Sequence, residues 1–355
     1  MADVSRSFLE PGGRVQLSLR SVPLMLLMAA TLAAGPSFAQ DASPEASTQT
    51  SEAGGAETEP TLPSPVASPL AGPASSDVDA MESAFGAFQR GYYLTAMELA
   101  LPRAQLGDPA AQTLLAELFA GGLGVPRNMD DAAFWYEQAA RGGDAAAQFK
   151  FGVMLLEGRY VEANRERAEK LMKQAADAGN AFAQFNHAQI LVSAKPGDAG
   201  VLEALPYFEQ AAEKGVPDAQ YALAQIYANT VGIPDEKRAR ARDWMEKAAR
   251  AGFDTAQLDY AIWLIDGIGG AKDYEGGFRW MQIAANGGNV VAQNRMAVLH
   301  INAIGTKGDP VEAGKWYILS RRAGYNDRAL DDFYQGLTED EKRQAIEAAN
   351  AFGKR

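Results

Sequence analysis

The sequence has no cysteine among its 355 residues and only two histidines, His187 and His300. The first absence excludes disulfides, thiolate metal sites, a cysteine nucleophile and a lipidated N-terminal cysteine, so stability has to come from packing. Basic residues are also in deficit, with 33 Lys and Arg against 45 Asp and Glu and a net charge of −12. A nucleic-acid binder needs a basic face to displace counterions from phosphates, and none is on offer. Catalytic signatures are missing as well: no G-x-S-x-G, Walker, H-E-x-x-H or EF-hand pattern occurs. The acidic pairs Asp130-Asp131 and Asp331-Asp332 fall where helix caps and solvated faces are expected. These absences predict a protein with no catalytic residue, no metal and no cofactor.

Long apolar runs are scarce too. The uncharged stretch Leu24 to Ala34 has eleven residues, whereas a spanning helix needs roughly 20. Arg6, Arg14 and Arg20 precede it, and Gly35, Pro36, Ser37, Phe38 and Ala39 follow. That three-part layout is a secretory signal over residues 1–39 with cleavage after Ala39, and it predicts a periplasmic protein. Cleavage removes three bases and two acids, leaving 30 and 43 and a net charge of −13. Residues 40–78 hold six acids and no aromatic, Lys or Arg, and are otherwise mostly Ser, Pro, Ala, Thr and Gly. Such a composition buries too little apolar surface to offset the entropy of ordering, so a disordered acidic linker is expected.

What the remainder has in abundance is self-similarity. The pair Ala-Gln recurs at Ala111-Gln112, Ala147-Gln148, Ala183-Gln184, Ala219-Gln220, Ala256-Gln257 and Ala292-Gln293, at intervals of 36, 36, 36, 37 and 36. Glycines at 107, 143, 179, 215, 252, 288 and 324 keep the same period, as do bulky pairs such as Trp135-Tyr136 and Trp244-Met245. Small residues fall three positions before each bulky pair, from Ala132 to Ala313, and four positions after each Gln, from Ala116 to Ala297. Within a unit the apolar residues have helical spacing, as in Ala111, Leu115, Leu118 and Phe119. Each unit therefore reads as helix A, a loop, and helix B ending at a glycine, with Asp130 or Asp131 expected to cap the first helix B. A helix pair cannot bury its apolar face alone, so the pattern predicts an all-α fold, an α-solenoid of antiparallel helix pairs.

The third and fourth units depart from the pattern, with loops expected at Ser193 to Leu202 and Asn229 to Arg238. The single extra residue falls in the second of these. A diverged helical pair is expected over 79–107, six repeats over 108–326, and capping helices over 327–355, the last opening with a Thr338/Glu341 capping box. His187 and His300 stand at helix-A positions filled elsewhere by Leu115, Phe151 and Leu223, or by Leu155, Tyr227 and Leu264, which marks both as packed core residues.

The Leu-Gly step, the Gly-x-Gly-Val loop, the Trp-Tyr pair and the Ala-Ala-x-x-Gly ending of the units beginning at Ala111 and Ala147 resemble the Sel1-like repeat. The resemblance implies a tetratricopeptide-like, non-enzymatic scaffold that binds another protein. Periplasmic relatives include a repressor of exopolysaccharide synthesis that holds down a membrane sensor kinase, so a sensor kinase ectodomain or an envelope component is the implied partner. Two other roles stay open: a part of a flagellar motor or polysaccharide exporter, and a β-lactam-binding or hydrolysing protein, although cysteines paired in the latter are absent here.

After each Gln, the positions at +1, +2 and +5 vary most, and variation inside a uniform frame points to a surface free of packing constraint. The candidate partner-binding residues are Phe149, Lys150, Phe185, Asn186, Gln189, Tyr221, Gln225, Asp259 and Arg295.

Overall fold

The computed structural model describes residues 76–353, with side chains from residue 83 onward. The signal and almost all of the linker expected before them lie outside the described residues. The described residues hold helices and no strand, in two compact units that divide after Asn180.

The first unit contains α1 (Ser76–Gln89), α2 (Tyr93–Gln105), α3 (Pro109–Gly121), α4 (Met129–Arg141), α5 (Ala145–Glu157) and α6 (Arg165–Asp177). Each helix packs on the next in sequence. Helix α1 begins at Ser76, three residues ahead of the boundary expected from composition, because Ser-Asp-Val-Asp reads equally well as the start of a helix. The second unit contains α7 (Ala181–Ala194), α8 (Asp198–Glu213), α9 (Pro217–Asn229), α10 (Asp235–Arg238), α11 (Ala241–Arg250), α12 (Asp254–Asp266), α13 (Tyr274–Asn286), α14 (Val290–Asn302), α15 (Pro310–Arg322), α16 (Arg328–Gln335) and α17 (Glu339–Ala351). Helices α7, α8, α9 and α11 to α15 pack in sequence, and α17 closes on α15.

The small-residue ladders are what let the helices approach. The alanine of every Ala-Gln pair is wholly buried, as are Ala116, Ala188, Ala224, Ala261 and Ala297 at the +4 positions. On helix B the matching small residues, from Ala132 through Ala204 to Gly277 and Ala313, are buried too. A Cβ on Gly277 would stand 2.5 Å from Cγ1 of Ile265 and 3.0 Å from the Ala261 carbonyl, so α12 and α13 touch nearly backbone to backbone. The second member of the bulky pair fills the space left: Tyr136, Met172, Phe208, Met245 and Met281 are all buried. In the sixth repeat the pair swaps roles. Trp316 is buried there, whereas Tyr317 is half-buried, donates to Asp331 at 2.8 Å and stacks on Tyr334.

Helix B ends in a two-bond motif around a left-handed glycine. Gly143 N–H donates to Ala140 O at 3.2 Å and Asp144 N–H to Ala139 O at 3.1 Å, which satisfies carbonyls that the helix end would otherwise strand. The same pair of bonds recurs at Gly107, Gly215, Gly252, Gly288 and Gly324.

Three local expectations need correction. The first helix B is capped by Asn128, whose side chain accepts from the Asp130 and Asp131 amides; the two aspartates lie in the first turn, where they favour the helix dipole instead. The loop expected at 193–202 is only three residues long, 195–197, because α7 runs to Ala194 and α8 starts at Asp198. The segment 229–238 is part helix: α9 extends to Asn229 and α10 forms one turn, with Arg238 donating to the carbonyls of Ala228 and Thr230 to hold the insertion in place. At the end of the chain, Thr338 and Glu341 form the expected capping box on α17.

Two non-glycine residues have positive φ among the described residues, Tyr160 at 66° and Ala303 at 53°. Other repeats place glycine at both positions: Gly122, Gly158 and Gly267 match Ala303, while Gly124, Gly269 and Gly305 match Tyr160. The left-handed conformation costs an L-residue roughly 1–2 kcal/mol. Ala303→Gly is therefore expected to stabilise the second unit by about 0.5–1 kcal/mol in urea unfolding, after the added entropy of the glycine in the unfolded chain.

Candidate interaction face

The A helices carry two kinds of polar side chain, and the structure separates them. The glutamine of the Ala-Gln pair belongs to the frame. In five of the six pairs its Nε2 donates to a carbonyl eight residues back, at the end of the preceding helix B: Gln112 to Ala104 at 2.9 Å, Gln148 to Ala140 at 3.4 Å, Gln220 to Ala212 at 3.2 Å, Gln257 to Ala249 at 3.4 Å and Gln293 to Ala285 at 3.2 Å, while Gln184 Nε2 donates to Gln210 Oε1 at 2.7 Å. The ladder was visible in the sequence, but its job was not. The signal was there all along, since a buried amide retained at a fixed offset from a helix end needs a backbone partner.

The variable positions beyond the glutamine form the candidate face, although not all of them reach solvent. Phe149, Phe185, Asn186 and Gln225 are buried at 2%, 5%, 2% and 4% exposure, which corrects the expectation that variability marks a free surface. The physical reasons differ. The Phe185 ring meets Phe208 edge-on at 5.9 Å, so this +1 aromatic is core. Asn186 turns back on its own helix and donates to Phe182 O at 2.8 Å. Lys150, Gln189, Tyr221, Asp259 and Arg295 are half-buried, with part of each side chain accessible.

Three of the nine candidates converge. Tyr221 and Gln225 lie one turn apart on α9, the i, i+4 spacing that puts them on the same side of a helix. Across from them, on α12, stands Asp259. Its Oδ2 accepts from the Tyr221 hydroxyl at 2.9 Å and from Gln225 Nε2 at 3.1 Å. Asn229, one turn further along α9, donates to Gln225 Oε1 at 3.0 Å and braces the amide. The Tyr221 ring also lies against Phe253, the residue before α12, with centroids 5.2 Å apart. Burial pushes the Asp259 carboxyl above its ordinary range, and the Tyr221 hydrogen bond opposes that shift only in part. Burial and the neighbouring Asp259 charge together raise the Tyr221 hydroxyl. Sequence reasoning placed Tyr221, Gln225 and Asp259 in one class but could not see that they bond, because that depends on how α9 and α12 are juxtaposed. It placed Asn229 in a loop, and Asn294, a variable +1 position, is buried and donates to Asp327 at 3.1 Å.

Both histidines are packing residues. His187 meets Tyr207 edge-on at 4.8 Å and His300 meets Phe278 at 5.4 Å. Burial lowers the His300 pKa. Among the described residues no group of three or more His, Asp or Glu is placed to hold a metal ion, and no helix is long and apolar enough to cross a membrane.

The Sel1 repeat family model matches residues 109–144, 145–180, 196–216, 217–253, 255–289 and 290–325, more than half of the sequence. The chain is a Sel1 repeat protein. The third match begins at residue 196, so helix A of that repeat, α7, is the part most diverged from the family. Two solved structures share the fold. A Sel1 repeat protein from Oxalobacter formigenes is 26% identical over 70% of this chain and 99% of its own, with a TM-score of 0.57. The protein c5321, a protective antigen present in uropathogenic Escherichia coli strains and described as displaying an SLR fold, is 25% identical over 78% of this chain and 68% of its own, with a TM-score of 0.53. No curated protein matches the chain. Sel1 repeat proteins mediate protein–protein interactions, and their scaffold is typically non-catalytic.

Proposed function

We propose that this chain is a periplasmic scaffold whose helix-A faces dock another protein within an envelope signalling or polysaccharide system. What supports the reading is the polar network spanning two A helices, in which half-buried Tyr221 and buried Gln225 hold the half-buried Asp259. Groups held in place by neighbours and still accessible are suited to recognising a partner at little ordering cost. A sensor kinase ectodomain or an envelope component is the partner class that fits the family resemblance. The periplasmic setting rests on the signal layout of residues 1–39, which lies outside the described residues.

A photo-crosslinking residue placed in living cells at Lys150, Gln189 or Asp259 is expected to trap one and the same protein. Placed at the exposed Arg250 on helix B, it is expected to trap none. Residues 1–39 fused to alkaline phosphatase should give an active enzyme, since that enzyme matures only after export. Equal adducts from both faces, or an inactive fusion, would defeat the scaffold or the location respectively.

A further inference from the structure

We propose that Asp259 is the anchor for a cationic side chain, arginine or lysine, presented by the partner segment that docks across α9 and α12. The inference rests on the scaffold reading and names the chemistry of its partner. Asp259 is a carboxylate held by neutral groups on the neighbouring A helix, α9. Its neighbours at hydrogen-bond distance are a phenol and a carboxamide, and among the described residues no Lys, Arg or His lies within ion-pair distance of it. Several carboxylates elsewhere are answered by cations, as Glu137 is by Arg141 and Arg167, Glu209 by Lys237 and Glu246 by Arg250. A carboxylate taken partly out of water without a counter-charge is in an unfavourable state, and burial already pushes its pKa up. An incoming cation removes that penalty while making a charge-assisted hydrogen bond.

The geometry leaves room for one. Both bonds to Asp259 fall on Oδ2, so Oδ1 keeps its acceptor capacity, and it is not among the polar atoms sealed from solvent. The acceptor is also fixed in advance, since Tyr221 and Gln225 grip it from one helix and Asn229 grips Gln225. Ala222, next to Tyr221 on α9, and Leu258 and Ile262, one and three residues from Asp259 on α12, are partly buried apolar residues. They supply the surface along which the methylene stem of a Lys or Arg lies when its head reaches a charge. The net charge of −12 favours the approach of a basic segment over an acidic one.

The test is a random-peptide library displayed on phage and selected against the purified chain, followed by synthesis of the enriched peptides. The expected result is a family of peptides with Arg or Lys at a fixed position. Their affinity should fall at least about tenfold for Asp259→Asn, which keeps the shape and the acceptor oxygen but loses the charge. Replacing the peptide's Arg by citrulline should cost a similar factor, and should cost nothing further against the variant. Asp259→Lys should in turn bind a peptide whose Arg has become Glu. Circular dichroism and urea melting of Asp259→Asn, expected to match the parent, keep a folding defect from imitating the effect. Enriched peptides without a fixed cation, affinities that Asp259→Asn leaves within about twofold, or no enrichment at all overturn the proposal. The scaffold reading survives the first two outcomes, because it stands or falls on the crosslinks from living cells.

Discussion

Phe208→Ala will lower the stability of the 181–353 unit by about 3–5 kcal/mol, the range for emptying a large aromatic out of a packed core. Phe208 is wholly buried at the second position of its bulky pair, on α8, and meets the Phe185 ring edge-on. It belongs to the cluster that also holds Leu223, Tyr227 and Met245, so its loss opens a void shared by several helices. Phe208→Leu, which keeps most of the volume, should cost under half as much. Urea unfolding followed by tryptophan fluorescence checks this directly, because Trp244, Trp263, Trp280 and Trp316 lie in this unit and only Trp135 lies in the other. In a repeat protein neighbouring units need not melt together. The sharper reading is therefore the shift in midpoint of the tryptophan transition, and a midpoint that does not move would mean the stack is not built around the bulky pairs.

Gly305→Val should be of similar severity for a different reason. Gly305 has φ of 68°, and any Cβ there would overlap the Tyr274 carbonyl and come within 2.8 Å of the Phe278 Cβ. The loop between α14 and α15 therefore sits directly on the N-terminal turn of α13, the helix B of the preceding repeat. A β-branched residue adds left-handed strain to a backbone collision, and about 2–4 kcal/mol is expected, from strain and overpacking together. A valine variant that melts with the parent would show that this loop is free to lift off, and that the contact seen there does not contribute to stability.

Much of this fold is written in the spacing of residue types. The period, the assignment of A and B helices, the glycine ends and the Thr338/Glu341 box all follow from local chemistry, because an amphipathic helix and its caps are decided by residues within a turn or two. The failures share a cause as well. Asp131 and Asn128 are both able to cap, and only backbone conformation shows that Asn128 is the one outside the helix. Residues 193–202 looked like a loop because of Pro196 and Gly197, yet Gly197 alone starts α8 and the helices on either side absorb the rest. On the candidate face, variability does not mean freedom. Phe149, Phe185, Asn186 and Gln225 vary between repeats and are nonetheless buried, since each neighbouring helix presents a different surface for them to match. Tyr221, Gln225 and Asp259 were legible as individuals; their union across two helices is a tertiary fact.

The glutamine bonds have one more consequence. Five of them span eight residues, so each of those repeats is fastened to its predecessor by a tether of small loop-closure cost. Assembly can then proceed like a zip, each new pair of helices finding its docking carbonyl already displayed by the one before. The same locality makes a block of 36 residues a portable cassette: its glutamine reaches back to the block before, and its alanine carbonyl is offered to the block after. Duplication or excision of whole blocks by recombination would rejoin compatible ends, which is how a lineage could lengthen or shorten this protein without redesigning its interior.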